Sequence, residues 1–373
     1  MLKSLKIENF RGFETLELKQ FGRINLLVGE NNCGKTSILE AIQLLCSRGN
    51  LEPLSQLMLG RGEVLINDAR INDERKIPYR REMLDVCHLF YGHGLTLDNK
   101  FTISSGTDRI ECLIDIDESQ GSEQVNLLDN DNDDFQDLSQ NLVMSLNWIS
   151  SQDVEKIHLL LSPEGGVLSD YSRRNRRELK NSAIKTQFVT SSSLNSNEMI
   201  ELFDQIVLKP EEEIITKALQ TIDSKIERIA SVAASRVRYS GRSGFKIRRS
   251  GTTQPVPIGS MGDGIWRMLG LSLAAACTKD GVLLVDEIDT GLHYSAMAKM
   301  WKMIWETAKQ SNVQVFATTH SRDCWESLEG IARMDDAEEE GITIHRIEKG
   351  RDRTVLFDAR KIIVASEMDL EVR

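Results

Sequence analysis

A chain of 373 residues, 40% hydrophobic and 28% charged, is long and apolar enough to bury one large α/β core or two smaller ones. Its formal net charge of −11 excludes a surface that binds duplex DNA everywhere by charge alone. No window approaches the roughly 18 uninterrupted apolar residues that span a bilayer, and the opening MLKSLKIENFRGF has no signal-peptide core, so the chain reads as cytoplasmic with no membrane partner.

In chain order, two short strands are expected at Leu2–Ile7 and Thr15–Leu18, then a buried strand at Ile24–Val28. The stretch GENNCGKT, Gly29 to Thr36, follows directly, and Ser37–Cys46 carries apolar residues on one helical face. Between about 50 and 185 the pattern weakens. Ile110–Ile116 reads as a strand, Val154–Leu161 as a strand or short helix, and the remainder as an inserted lobe of helix and loop. Two helical patterns run from Asn197 to Leu219, broken at Lys209-Pro210 because the residue before proline avoids the helical region. Strands with basic turns are expected at 226–234 and 244–258, then PIGSMGDG, a helix over Ile265–Cys277 and a strand over Val282–Val285. A helix over Leu292–Lys309, a strand over Val313–Thr318, strands at 342–348 and 353–357 and a terminal helix complete the chain. Nearly all-apolar strands alternating with helices predict a mostly parallel sheet covered on both faces, with ligands at the carboxyl ends of its strands.

Six scattered cysteines form no C-x-x-C pair, and no histidine cluster shows metal spacing, so reduced structural thiols are the expectation. Cys33 lies within GENNCGKT, either as an oxidation-sensitive point or as a small residue tolerated in a loop. Two basic runs stand out, 171–180 and 236–250. The second is either a solvated hairpin or a contact surface for nucleic acid or an acidic partner. The segment 115–137 is acidic and Asn-rich, and its stretch near 129–134 reads as a solvated loop. Met297, Met300, Trp301, Ile304 and Trp305 fall at helical spacing and read as core.

The spacing G-x-x-x-x-G-K-[ST], between a buried strand and an amphipathic helix, is that of a phosphate-binding loop. Glycines let backbone N–H groups face a polyphosphate, Lys35 reaches the β and γ phosphates and Thr36 offers a hydroxyl to Mg²⁺. The following helix points its positive end at the same anion. At the end of VLLV come Asp286 and Glu287. Alone they fit an acidic turn; with Lys35 and Thr36 in the chain they fit a metal carboxylate and a base for the water attacking a γ phosphate. His320 follows the next strand, VQVFATT, which places it beside those acids, with Thr318, Thr319 and Ser321 nearby. GSMGDG, Gly259–Gly264, is by itself a helix cap and turn. As a second glycine-rich helix start without its own lysine it suggests two copies facing head to tail, each covering the other's nucleotide.

The order of phosphate loop, serine-glycine motif, apolar strand ending in Asp-Glu and strand ending in His resembles the ABC-type ATPase heads of the RecF, SMC and OLD group. LKIENFRGF, GENNCGKTSILEAI, DEIDTGLHYS and FATTHS are similar in wording to OLD-like ATPases in particular. The resemblance covers about 1–46 and 197–373. It implies a single ABC-type ATPase domain over 1–373: an antiparallel N-terminal β region and phosphate loop at 1–50, the inserted lobe at 51–196, and the remaining motifs at 197–373. By resemblance, Gly29, Asn32, Gly34, Lys35, Thr36 and Ser37 form the nucleotide loop, with Arg11 as a further nucleotide contact. Asp286 and Thr36 hold Mg²⁺, Glu287 is the catalytic base, His320 the switch histidine, and Asp289–His293 the loop that crosses the dimer interface. Ser260, Gly262 and Asp263 correspond to the signature acting on the partner's ATP, although SMGDG departs from the transporter wording L-S-G-G-Q. Gln187 is a candidate for the Mg²⁺-sensing glutamine. The chain lacks the long coiled coils of SMC proteins, and the residues after His320 show no nuclease metal site. The implied protein is an ATPase that dimerises, or forms higher homo-oligomers, around ATP. Its implied role is in anti-phage defence or a toxin–antitoxin-like system with a separately encoded nuclease or other effector. A RecF-like DNA-repair clamp and an ATP-binding structural switch with negligible hydrolysis are the rivals.

Overall fold

The computed structural model describes residues 1–68, 80–116, 142–151, 153–162, 164–168, 183–232, 242 and 244–373. The basic run 171–180, most of 115–137 and residues 236–241 and 243 lie outside the described residues. The described chain forms two compact units, one of residues 1–4, 18–39 and 184–373, the other of residues 5–17 and 40–183.

The first unit is built on a six-stranded sheet. Its strands are β1 (Ile24–Val28), β2 (Thr186–Val189), β3 (Val282–Val285), β4 (Gln314–Thr319), β5 (Ile342–Arg346) and β6 (Val355–Phe357), in the order β2-β3-β4-β1-β5-β6. All neighbours are parallel except the β5–β6 pair at one edge. INLLV, VLLV and QVFATT are buried at every position, as strands covered on both faces must be. At the start of β1 the chain passes Gly341 so closely that a Cβ on Gly22 would lie 2.3 Å from the Gly341 carbonyl oxygen, which only glycine permits.

Three helices matter for the site: α1 (Lys35–Cys46), α2 (Asp263–Cys277) and α3 (Tyr294–Gln310). From Ile265 to Cys277, α2 is buried at every residue, the mark of a helix enclosed on all sides. The Met and Trp stripe of α3 is core: Met300, Trp301 and Ile304 are fully buried, and the Trp301 indole donates to the Cys324 carbonyl at 2.9 Å. Helices Ser196–Ile206 and Glu211–Gln220 break at Lys209-Pro210, and residues 226–231, 245–249 and 256–257 form a small antiparallel sheet.

In the second unit, a six-stranded antiparallel sheet takes its strands in the order 13–19, 4–10, 100–105, 108–116, 142–149 and 154–160. Strands 166–168, 80–85 and 64–68 make a three-stranded sheet. The inserted lobe, read from sequence as helix and loop apart from a strand at 110–116 and a strand or short helix at 154–161, is largely strand among its described residues. Its strands mostly alternate buried with partly or fully exposed residues over short lengths, so each carries a weaker pattern than the mostly apolar INLLV and VLLV of the first unit.

His345 on β5 is fully buried, with Thr343 Oγ1 3.2 Å from Nε2 and Thr354 Oγ1 3.2 Å from Nδ1. Burial pushes its pKa down from 6.5 to about 4. As pH falls through that interval the unfolded chain takes up a proton that the native ring refuses, so the contribution of His345 to stability is level above 6.5 and drops below it, by about 3 kcal/mol in full. Urea unfolding at neutral and mildly acidic pH is expected to give this slope in wild type and a shallower one in His345→Gln.

Candidate nucleotide site

The phosphate loop, the two acids and His320 come together at the carboxyl ends of β1, β3 and β4. β1 delivers Gly29 at φ +150°, where a Cβ would lie 2.5 Å from the Ile347 carbonyl oxygen and 2.9 Å from Cys33 Sγ. Asn32 (φ +59°) and Gly34 (φ +92°) continue the loop in left-handed conformations, and α1 begins at Lys35. The Lys35 ammonium, on a buried residue, donates to the carbonyls of Gly29 (2.8 Å) and Glu30 (2.7 Å) and lies 3.8 Å from Cys33 Sγ. It is thereby fixed over the loop at the positive end of α1. Ser37 is half-buried in the first turn of α1.

Thr36 Oγ1 lies 3.2 and 3.1 Å from the two carboxylate oxygens of Asp286. A hydroxyl and a carboxylate 250 positions apart thus meet as hard oxygen donors, the set that suits Mg²⁺. Thr318, fully buried at the end of β4, donates from Oγ1 to Asp286 Oδ1 at 2.6 Å and accepts from the Glu287 N–H at 2.8 Å. One hydroxyl therefore fixes both acids. Glu287 itself sits at φ +45°, unusual for a residue with a side chain and of order 1–3 kcal/mol in strain. Its carboxylate lies 4.0 Å from His320 Nδ1 and accepts from Thr290 Oγ1 at 3.2 Å, and both Glu287 and His320 are accessible to solvent. Thr319 Oγ1 donates to Asp289 at 2.6 Å, tying the segment after the acids to the same strand.

Beneath this turn lies Arg267, which the sequence reading did not single out. Its guanidinium, 2% exposed, donates to the carbonyls of Thr190 (2.6 Å), Asp286 (3.0 Å) and Glu287 (2.8 Å). Burial lowers its pKa to about 10, against the opposing pull of Asp289, Asp286 and Glu287, so it stays cationic at neutral pH. The available signal was a lone arginine in the otherwise apolar helix IWRMLGLSLAAAC.

Other expected residues lie elsewhere. Ser260 is exposed on the 3₁₀ turn Ile258–Met261, Gly262 (φ +89°) caps α2, and Asp263 pairs with Arg242. Among the described residues no hydrogen bond joins these three to residues 29–37. Gln187 lies within β2, its amide 3.4 Å from the Phe188 carbonyl. Arg11, expected at the nucleotide, makes its ion pairs within the second unit. Its guanidinium, 5% exposed, pairs with Glu40 (3.0 Å) and Glu63 (2.8 Å) and donates to the His88 carbonyl. Two carboxylates neutralise it.

Residues 24–323 match the family described as "AAA domain, putative AbiEii toxin, Type IV TA system". The chain belongs to this family. An "ATP/GTP phosphatase" of Helicobacter pylori is 25% identical over 360 residues, 90% of each protein. RecF of Clostridioides difficile is 52% identical over 44 residues, 12% of each chain. An SMC head bound to the C-terminal winged-helix domain of ScpA has 13% identity and a TM-score of 0.49, over 96% of this chain and 99% of its own. The SMC head domain of Thermotoga maritima has 13% identity and a TM-score of 0.42, over 96% and 98%. Family membership agrees with the resemblance to ABC-type heads read from the motifs, and with a site built for a nucleoside polyphosphate. No described helix is long and apolar enough to cross a membrane.

Thr318→Val keeps the side chain's shape and removes the hydroxyl that serves Asp286 and the Glu287 N–H, so unfolding titrations should show a loss of about 1–3 kcal/mol. Thr290→Val, at an exposed position, should cost far less.

Proposed function

We propose that this protein is an ATPase that closes as a homodimer around two ATP molecules and opens on hydrolysis. The observation that carries the reading is the meeting of Thr36 with Asp286, 3.1 and 3.2 Å apart, next to Lys35 and Glu287. In this reading the N–H groups of the loop at Gly29, Asn32, Gly34 and Ser37, together with Lys35, bind the β and γ phosphates. Thr36 and Asp286 would hold Mg²⁺, which when bound offsets phosphate charge. Glu287 orients the attacking water and takes its proton. His320, 4.0 Å from Glu287, would contact the γ phosphate. The strained backbone of Glu287 and the Thr318 hydroxyl hold the base in place before substrate arrives.

Ser260, Gly262 and Asp263 are exposed, and among the described residues no hydrogen bond joins them to residues 29–37, which suits a role on the partner's ATP. Residues 289–293 would cross between the copies. The relative from H. pylori supports nucleotide hydrolysis, and the wording of the family supports a place in a toxin–antitoxin-like system, which we read as that of a regulatory ATPase acting with a separately encoded nuclease or toxin. The short likeness to RecF favours the rival, a DNA clamp. Against it, Arg248 and Arg249 on the basic hairpin already pair with Glu227 and Asp223.

Lys35→Ala is expected to abolish ATP binding. Glu287→Gln should retain binding, lower turnover by about 10²–10⁴-fold and accumulate an ATP-bound dimer in sizing experiments. Ser260→Arg should leave ATP binding by the monomer intact while blocking both dimer closure and hydrolysis. Wild-type turnover in Glu287→Gln overturns the assignment of the base, and wild-type turnover in Ser260→Arg overturns the head-to-tail arrangement.

A further inference from the structure

The second unit carries a cluster that the nucleotide chemistry leaves unused. Strand 80–85 ends at Asp85, whose Oδ1 accepts from the Cys87 N–H at 3.2 Å and so starts a 3₁₀ turn over Val86–Leu89. In such a turn residues i and i+3 lie on one side, and Val86 and Leu89 are both fully buried there. Anchored by that pair, the turn leaves Cys87 and His88 half-buried beside Asp85. Ligand atoms of Asp85, Cys87 and His88 all lie within 4.8 Å of one another. Tetrahedral zinc at its usual bond lengths places ligand atoms about 3.3–3.8 Å apart, within reach of small side-chain rotations. The other five cysteines of the chain are buried.

The surroundings of the His88 ring point to the same ligand. Its Nε2 lies 3.5 Å from Asp85 Oδ2, and its Nδ1 lies 3.3 Å from Nδ1 of His93. His93 is brought there by a turn in which Gly92 (φ +81°) and His93 itself (φ +55°) are both left-handed. That conformation is costly for a residue with a Cβ. With its proton on Nε2 the His88 ring faces Asp85 as a donor and accepts from His93; with its proton on Nδ1 it donates to His93 and turns an Nε2 lone pair toward the Asp85 carboxylate, the tautomer that a cation held by both groups would select. A metal-bound histidine characteristically donates its second N–H to a neighbouring acceptor, the role His93 then fills.

We propose that Asp85, Cys87 and His88 bind Zn²⁺, with His93 as the outer partner that orients His88 and a fourth position open to water. Thiolate and imidazole donors select zinc over Mg²⁺ or Ca²⁺, which prefer oxygen. Bound metal would pin the end of strand 80–85 to the turns over residues 86–93.

The test is a Co²⁺ titration of the full, chelator-stripped chain in excess Mg²⁺. One equivalent should produce a thiolate-to-cobalt charge-transfer band that Zn²⁺ displaces. The band should vanish in Cys87→Ser and His88→Gln variants whose circular dichroism matches wild type, and persist in Asp286→Asn, which alters the other candidate cation site. His93→Ala should keep the band with affinity weakened about 10–100-fold. Absence of the band in the wild-type chain, or its survival in Cys87→Ser or His88→Gln, overturns the proposal; the metal-free arrangement, in which His93 donates to His88 and His88 donates to Asp85, then stands.

Discussion

The register of one buried strand governs the candidate nucleotide site. β4 lies between β3 and β1, with Val285 opposite Ala317 on one side and Val28 opposite Thr319 on the other. It therefore runs past the end of β3 and presents Thr318 and Thr319 to the turn that carries Asp286, Glu287 and Asp289. On its other flank it ends level with the start of the phosphate loop. Since the side-chain period of a strand is two, a slip of one residue would turn both hydroxyls to the opposite faces. Asp286 and Glu287 would lose the donor and acceptor that fix them.

Polar groups enclosed at this depth are stable only when each has a partner. The Thr318 hydroxyl both donates and accepts, and the Arg267 guanidinium donates to three carbonyls, of which those of Thr190 and Glu287 also accept from the Ser193 and Thr290 N–H groups. These bonds over-determine the backbone and hold Glu287 in a left-handed conformation that an isolated peptide would leave. Buried cation and strained acid together form a preorganised turn. Rigid support for charged groups is what phosphoryl transfer asks of a protein.

The second unit follows different rules. Buried Glu40 is held by Arg11 (3.0 Å) and Arg61 (2.7 Å), yet burial still raises its carboxyl above the ordinary range. Such a network costs desolvation and specifies geometry, a sufficient physical reason for Arg11 beside the NFRGF turn. In the sequence that arginine was indistinguishable from a nucleotide contact. Sequence spacing likewise missed the meeting of Asp85, Cys87 and His88 with His93, because a 3₁₀ turn and a left-handed histidine create that proximity and neither follows a standard motif.

By itself, the sequence determined the local elements whose chemistry is short-range. The glycines of GENNCGKT, the mostly apolar runs of β1 and β3, the proline break at 210 and the helical stripe of α3 each act through neighbours a few residues away, and each appears in the structure close to its expected place. Strand order and register belong to the tertiary structure alone. They bring Thr36 to Asp286, Thr318 to Glu287, and Arg267 to the carbonyls of both acids. Those pairings span from 19 to 250 positions and depend on which strands lie side by side, information that local periodicity does not carry.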